Sequence, residues 1–323
     1  MRTQVGALQE TAKFDLAIIG DCNPDLILTG EGVEPAFGQA EHLVDGMSFT
    51  IGGSAGIMAT GAARLGLRTA LFSLLGQDAF ADYMLGALDE RGVDTRGCVI
   101  DPAKKTGLTV VLSKGDDRAI LTYAGTIEDF DPSNIDLAMV LNARHIHVTS
   151  FFLQKHLAPK VPWLFREARG AGATTSLDPN WDPSGRWDSN INDALAEADL
   201  FFPNEVEVAR IAGLENVPAA AVALAARGPI VVVKRGARGA LVAAPDGIFE
   251  MTTPASAGDA LDTTGAGDSF DAGFLAGYLE GRSYEAATQL ACACGSLSVR
   301  ALGGVDAQPT MEEAMAAQSS WSS

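Results

Sequence analysis

The chain has 323 residues, 47% hydrophobic and 20% charged, enough for one large α/β domain with a sizeable core, and this composition excludes wholesale disorder. Its formal net charge of −18 repels phosphate backbones and anionic membrane surfaces, which argues against nucleic-acid and membrane partners. A phosphorylated ligand would need local attraction from backbone amides, a helix end or a metal.

In chain order, residues 1–13 read as a loose tail. FDLAIIG is an apolar strand that breaks at Gly20 into a polar turn, and residues 28–50 are Gly-rich with short β-like pieces and no helical period. SAGIMATGAARLGL reads as a helix packed through small residues, RTALFSLLG as a strand, and DAFADYMLGALDERGV as an amphipathic helix. Two strands around Lys114-Gly115-Asp116-Asp117 give a hairpin over 106–124. From residue 144 strands and helices alternate: HIHVTS, TTSLDPN, DLFFPN and PIVVVKRG as strands, with helices over 158–172, 189–198, 205–213 and 217–228 between them. A hairpin (GALVAAPDGIFEMTT), a long helix after Asp268, a helix over 284–300 and a last short helix opened by a Thr310/Glu313 capping box complete the chain.

This alternation predicts a mostly parallel sheet covered on both faces, with the stretches 28–50 and 106–124 pairing as a small separate sheet, a lid. Its exposed edges suit pairing across a homodimer. Ligands of open parallel sheets sit beyond the carboxyl ends of the strands. Five polar groups fall there and are expected to converge: Asn23 and Asp25, Asp178 and Asn180, Asn204 and Glu207, Lys234 to Gly239, and Asp262 to Asp268.

The last group, DTTGAGDSF, is the most informative. Phe270, Phe274, Leu275 and Tyr278 follow at near-helical spacing, so Gly265-Ala266-Gly267 is the turn into a helix whose first N–H groups lack intrahelical partners and point to an anion. Asp268 stands at the lip of that pocket. It either caps the helix or accepts a proton from a hydroxyl that attacks a phosphate; the second reading makes sense of a carboxylate beside an anion site.

The four cysteines form no paired framework, and Cys292-x-Cys294 reads as helix packing rather than a metal pair. His145 and His147 read as structural. The N-terminus lacks a secretory apolar core, and no apolar run reaches about 18 residues, which together predict a soluble cytoplasmic protein.

DTTGAGDSFDAGF resembles the C-terminal signature of the ribokinase-like (PfkB-type) carbohydrate kinases. GGSAGIMATGAARLG (52–66) resembles their Gly-Gly signature, PNEVE (203–207) their Asn-x-x-Glu motif and VVVKRGARGALV their nucleotide strand and turn, all in family order over roughly residues 15–309. The resemblance implies a ribokinase-like three-layer α/β/α domain over 14–310 with a small β lid, acting as an ATP- and Mg2+-dependent kinase of a small sugar or sugar acid. It implies that Asp268 is the general base and that Gly265, Ala266 and Gly267 form the anion hole. Asn204 and Glu207 would place Mg2+ through water, and Lys234, Gly236 and Gly239 would bind the nucleotide. Asn23, Asp25, Gly52, Gly53, Asp178, Asn180 and, for a sugar acid's carboxylate, Arg186 would meet the substrate. Asp262 and Thr264 match a loop that binds a K+-like cation in some relatives. Where the family often has an asparagine, four residues after Gly53, this chain has Ile57. Acids in the lid (Glu31, Glu34, Glu41, Asp45) disfavour a sugar-phosphate substrate. A nucleoside kinase, with Phe151 and Phe152 around a base, and a non-catalytic sensor on the same fold remain alternatives.

Overall fold

A computed structural model describes residues 13–321 apart from 116, 189, 245–246 and 252–259. Strands such as β1 (Phe14–Ile19) and β12 (Ile230–Lys234) are apolar at nearly every position, the pattern of strands covered on both faces. They belong to an eight-stranded sheet that also holds β4 (Thr69–Phe72), β9 (Ala143–Val148), β10 (Thr174–Leu177), β11 (Leu200–Phe201), β13 (Ala240–Ala244) and β14 (Gly247–Met251), in the order β14-β13-β12-β11-β10-β9-β1-β4. All neighbours are parallel except the β12–β13–β14 meander.

Alternate side chains feed two cores. Val231 and Val233 enter one with Leu164, Phe165, Val208 and Leu224, while Val232 enters the other with Met58, Phe274 and Leu290. The second core is covered by α1 (Ser54–Arg64), α2 (Ala79–Asp89), α9 (Ala266–Leu279), α10 (Tyr284–Ser298) and α11 (Met311–Trp321). The first lies under α5 (Val161–Gly170), α6 (Ile191–Leu195), α7 (Glu205–Ala212) and α8 (Val217–Ala225). Among the described residues no single helix is long and apolar enough to cross a membrane. The Thr310/Glu313 capping box forms, with the Thr310 amide donating to Glu313 at 2.7 Å and the Glu313 amide to Thr310 Oγ1 at 3.2 Å.

A second sheet pairs β2 (Asn23–Thr29), β3 (Gly46–Gly52), β7 (Leu108–Lys114) and β8 (Asp117–Tyr123) in the order β3-β2-β7-β8. It starts earlier than residue 28, and the stretch after Gly20 is no polar turn. Asn23 and Asp25 lie within β2, paired with Gly52 and Thr50. The stretch 68–76 splits at Ser73 into β4 and β5 (Leu74–Gly76), and β5 pairs with β6 (Val99–Asp101), which the sequence pattern did not indicate. Two short helices, α3 (Thr126–Asp129) and α4 (Leu137–Val140), fill the connection to β9. Except for Lys13, the expected tail lies outside the described residues, as do the hairpin's Pro245-Asp246 turn and Thr252-Thr253 end.

Candidate active site

Beyond the carboxyl ends of the central strands lies a cavity of about 540 Å3. Asp178, Asn180, Asn204, Glu207, Lys234, Gly236, Gly239, Gly265, Ala266, Gly267 and Asp268 all line it. Four of the five expected groups therefore meet in one cavity. Asn23, Asp25, Gly52 and Gly53 do not line it but sit beside it, where β2 and β3 join α1.

Gly265 is the N-cap of α9, left-handed at φ 70°, with no side-chain cap. A Cβ there would lie 2.7 Å from both the Gly304 Cα and the Ile57 side chain, so only glycine makes this turn. Ile57 thus packs behind the loop rather than contacting a ligand. Of the three amides expected to meet an anion, that of Ala266 already donates to the Thr263 carbonyl at 3.3 Å. Among the described residues the Gly265, Gly267 and Asp268 amides have no such backbone partner. Asp268 is not the cap. It is half-buried in the first turn, faces Ser54, and its carboxyl is pushed up to about 8 by desolvation and then by the nearby Asp178 charge.

Asn204 and Glu207 form a full capping box: Asn204 Oδ1 accepts from the Val206 and Glu207 amides at 2.9 Å, and Glu207 Oε2 accepts from the Asn204 amide at 2.8 Å. The motif thus opens α7 while its Asn204 and Glu207 line the cavity. Burial and the Asp178 charge push the Glu207 carboxyl up to about 7. The Lys234 amide donates to the Pro203 carbonyl at 2.8 Å, which brings the ends of β11 and β12 together.

Lys234 lines the cavity and is ion-paired there. Its Nζ lies 2.5 Å from Asp178 Oδ2 and 3.1 Å from Asp271 Oδ2. Asp178, held by Lys234 while lining the cavity, accepts the Asn180 amide at 2.9 Å. Asn180 Nδ2 donates to Ser54 and Ser150 at 3.3 and 3.0 Å. Arg186 corrects an expectation: its side chain is 70% exposed, pairs with Asp188 at 3.5 Å and does not line the cavity. Ser184 and Trp187 fold this loop onto Asp182, which turns it outward.

Beside the cavity, Asp21 accepts from the Ser54 amide at 3.0 Å and so caps α1 from another segment. A Cβ on Gly52 would overlap the Asp25 carboxylate, which explains the glycine. Desolvation, then Asp21 and Asp262, push Asp25 up to about 7. Asn23 Nδ2 donates to Thr109 at 3.2 Å. Phe151 and Phe152 pack against each other at 5.5 Å, and Phe152 against Trp187 at 5.4 Å, in the core rather than around a ligand. His145 and His147 are buried and bonded to Thr174 and Ser176. Cys292 lines the cavity while Cys294 packs under Gly273.

Sequence reasoning missed three residues. Ser54 opens α1 in the cavity wall. Asp271 stands one turn after Asp268, a carboxylate inside an apolar helical run. Arg118, on β8, reaches the cavity and donates to Thr264 Oγ1 at 3.0 Å, with Asp262 Oδ1 at 3.5 Å. Asp262 also accepts from Thr264 and from the Gly303 amide at 2.9 Å. The side-chain oxygens implied for a K+-like cation therefore already face a guanidinium, and they do not fit a second cation beside it.

The model of the "pfkB family carbohydrate kinase" matches residues 13–311. An "ATP-dependent ribose-1-phosphate kinase" of Halopiger xanaduensis is 34% identical over 86% of this chain and 90% of its own. A "Nucleoside kinase" of Methanothermobacter thermautotrophicus is 30% identical over 82% and 83%. Arabidopsis thaliana ribokinase, solved with ribose and ATP, superposes with a TM-score of 0.81 at 24% identity, covering 94% of this chain and 98% of that one, and has the same fold. The chain belongs to the pfkB family of carbohydrate kinases and is an ATP-dependent kinase of small sugars.

Proposed function

We propose that Asp268 is the general base of this phosphoryl transfer and that the first-turn amides of α9 receive the transferring group. The observation that carries the reading is a desolvated carboxyl set in the same helical turn as partnerless amides. The amides and the helix dipole stabilise charge that develops on the phosphoryl oxygens. Asp268 accepts the proton of the attacking sugar hydroxyl. Gly236, Ala237 and Gly239 on one side and Phe270, Gly295 and Val299 on the other make a slot of small and apolar groups suited to the nucleotide.

Among the described residues no three acids, histidines or cysteines gather as a metal cage. One buried glutamate is instead the donor set that suits Mg2+ kept mostly by waters and phosphates. When bound, that ion neutralises charge on the transferring phosphoryl group. Glu207→Gln is expected to keep the capping box, since the amide oxygen still accepts from Asn204, yet to raise the Mg2+ needed for half-maximal rate about tenfold. A magnesium titration of the initial rate checks this.

The β2-β3-β7-β8 sheet is proposed as a lid, and its free edge β8, with Ile120, Leu121 and Tyr123 each more than half exposed, as the surface of a homodimer. Asp25 and Asn23, held at the lid's base, suit sugar hydroxyls. A second reading is favoured by Arg118. It is a lid cation that lines the cavity, so it suits an acceptor that carries its own phosphate, as the name of the Halopiger relative says of that protein. Incubation with Mg-ATP and neutral sugars, sugar acids, sugar phosphates or nucleosides, followed by 31P NMR, tests both. A new phosphomonoester with a sugar or sugar phosphate supports the corresponding reading; inorganic phosphate with ADP alone, or a nucleoside monophosphate formed only from an added nucleoside, counts against both.

A further inference from the structure

We propose that Lys234 is a positioning residue for the base: its ammonium, clamped by Asp178 and Asp271 behind the first turn of α9, is the fixed counter-ion that lets Asp268 take the acceptor's proton, a role that rests on Asp268 being the base.

The geometry starts from donor counting. An ammonium has three N–H donors. Asp178 at 2.5 Å and Asp271 at 3.1 Å take two, and the lysine side chain is only 14% exposed. What remains points little charge at a nucleotide. The same Nζ lies 3.5 Å from where a Cβ on Gly267 would stand, directly behind the loop that carries Asp268. Asp271 follows Asp268 by one turn, between Phe270 and Phe274. It is 1% exposed, and its Oδ1 has no hydrogen-bond partner among the described residues. Buried ion pairs are poor stabilisers compared with apolar packing. A lysine with two carboxyls in the core behind a reactive group is therefore better explained by the field it makes.

That field is needed. Asp178 beyond β10, Asp21 beyond β1 and Asp271 on α9 all act on Asp268 or its neighbours as acids, and Glu207 on α7 faces the same lysine. Lys234 is the cation set against them. It draws the Asp268 carboxyl down against desolvation and the Asp178 charge and draws Asp178 down as well, while burial pushes the Asp271 carboxyl well up. Without the ammonium, Asp268 would keep its proton well above neutral pH.

The test is the pH profile of kcat/KM for Lys234→Met, with Asp268→Asn assayed alongside. The expected result is a half-point raised by about one pH unit or more, kcat at neutral pH lowered about tenfold or more, and a KM for Mg-ATP within about threefold of the parent. An unmoved half-point overturns the inference, whatever happens to KM. An active Asp268→Asn would instead remove the base itself, so the two failures are distinguishable. Should Lys234→Met not fold or not turn over, 15N-lysine NMR of the wild-type protein carries the test, the Lys234 resonance being assigned by its loss in Lys234→Arg. The ammonium signal is expected to shift with the same pH midpoint as the rate and to stay put when a non-hydrolysable Mg-ATP analogue binds. A signal that ignores pH, or that moves only with nucleotide, overturns the proposal.

Discussion

Asp268→Asn is expected to lower kcat roughly a thousandfold, within the range that a positioned general base supplies, while nucleotide binding persists. The amide is nearly isosteric with the carboxyl and keeps its place in the first turn of α9, so the amides of Gly267 and residue 268, the proposed phosphoryl donors, keep their orientation. What is lost is the ability to take a proton, about 4 kcal/mol in the barrier. With its carboxyl pushed up to about 8, Asp268 is mostly protonated at neutral pH, so the neutral amide should leave ATP affinity there unchanged. Steady-state ADP release gives kcat, and calorimetric titration gives the nucleotide Kd. Near-normal turnover would take Asp268 out of the role of base.

Gly265→Ala should follow close behind, lowering kcat about a hundredfold, comparable to the loss of one oxyanion donor. Two effects combine. At φ 70° an alanine is strained by about 1–2 kcal/mol. Its Cβ would also lie 2.7 Å from the Gly304 backbone and the Ile57 side chain, both part of a packed interior. The turn must shift, and the amides of Gly267 and Asp268 shift with it. A fall in Tm of a few degrees is expected alongside. Gly86→Ala is the matched control: it is helical, a Cβ there meets nothing within 4 Å, and it should be neutral or mildly stabilising. Equal losses in the two variants would mean that the Gly265 turn has no special place in the site.

The main sheet was legible because Leu16–Ile19 and Val231–Val233 are uninterrupted apolar runs, which two-sided burial requires. The start of the second sheet was not. Pro24 and Asp25 read as turn chemistry, yet Asp25 fits into β2 because Gly52, which pairs with Asn23 on the neighbouring strand, has no side chain to collide with its carboxylate. The glycine turn before α9 was readable from local rules alone, since helix ends always leave amides over. Arg118 and Asp271 were not, because their meaning is tertiary. One reaches the Asp262 loop from a hairpin more than a hundred residues away in sequence. The other looks like a polar interruption of a helix until Lys234 arrives from β12. Arg186 failed for the opposite reason: its charge suits a carboxylate, but it sits on a loop folded onto Asp182 and pairs with Asp188 in solvent.

The raised Asp268 carboxyl has opposite consequences for stability and activity. The folded state holds this proton more tightly than the unfolded chain. Its contribution to stability is therefore fully present below about pH 4, the unfolded value, and is lost as pH rises towards about 8. Under the proposed role activity runs the other way, because a base works only when ionised. The pH dependence of kcat/KM for the wild-type enzyme, from pH 5 to about 9.5, therefore tests the account most directly, since it reports the free enzyme's essential base. The predicted result is a tenfold rise per pH unit that levels off with a half-point near 8 and is absent from Asp268→Asn. A profile flat from pH 5 upward, or one unchanged in Asp268→Asn, would contradict it.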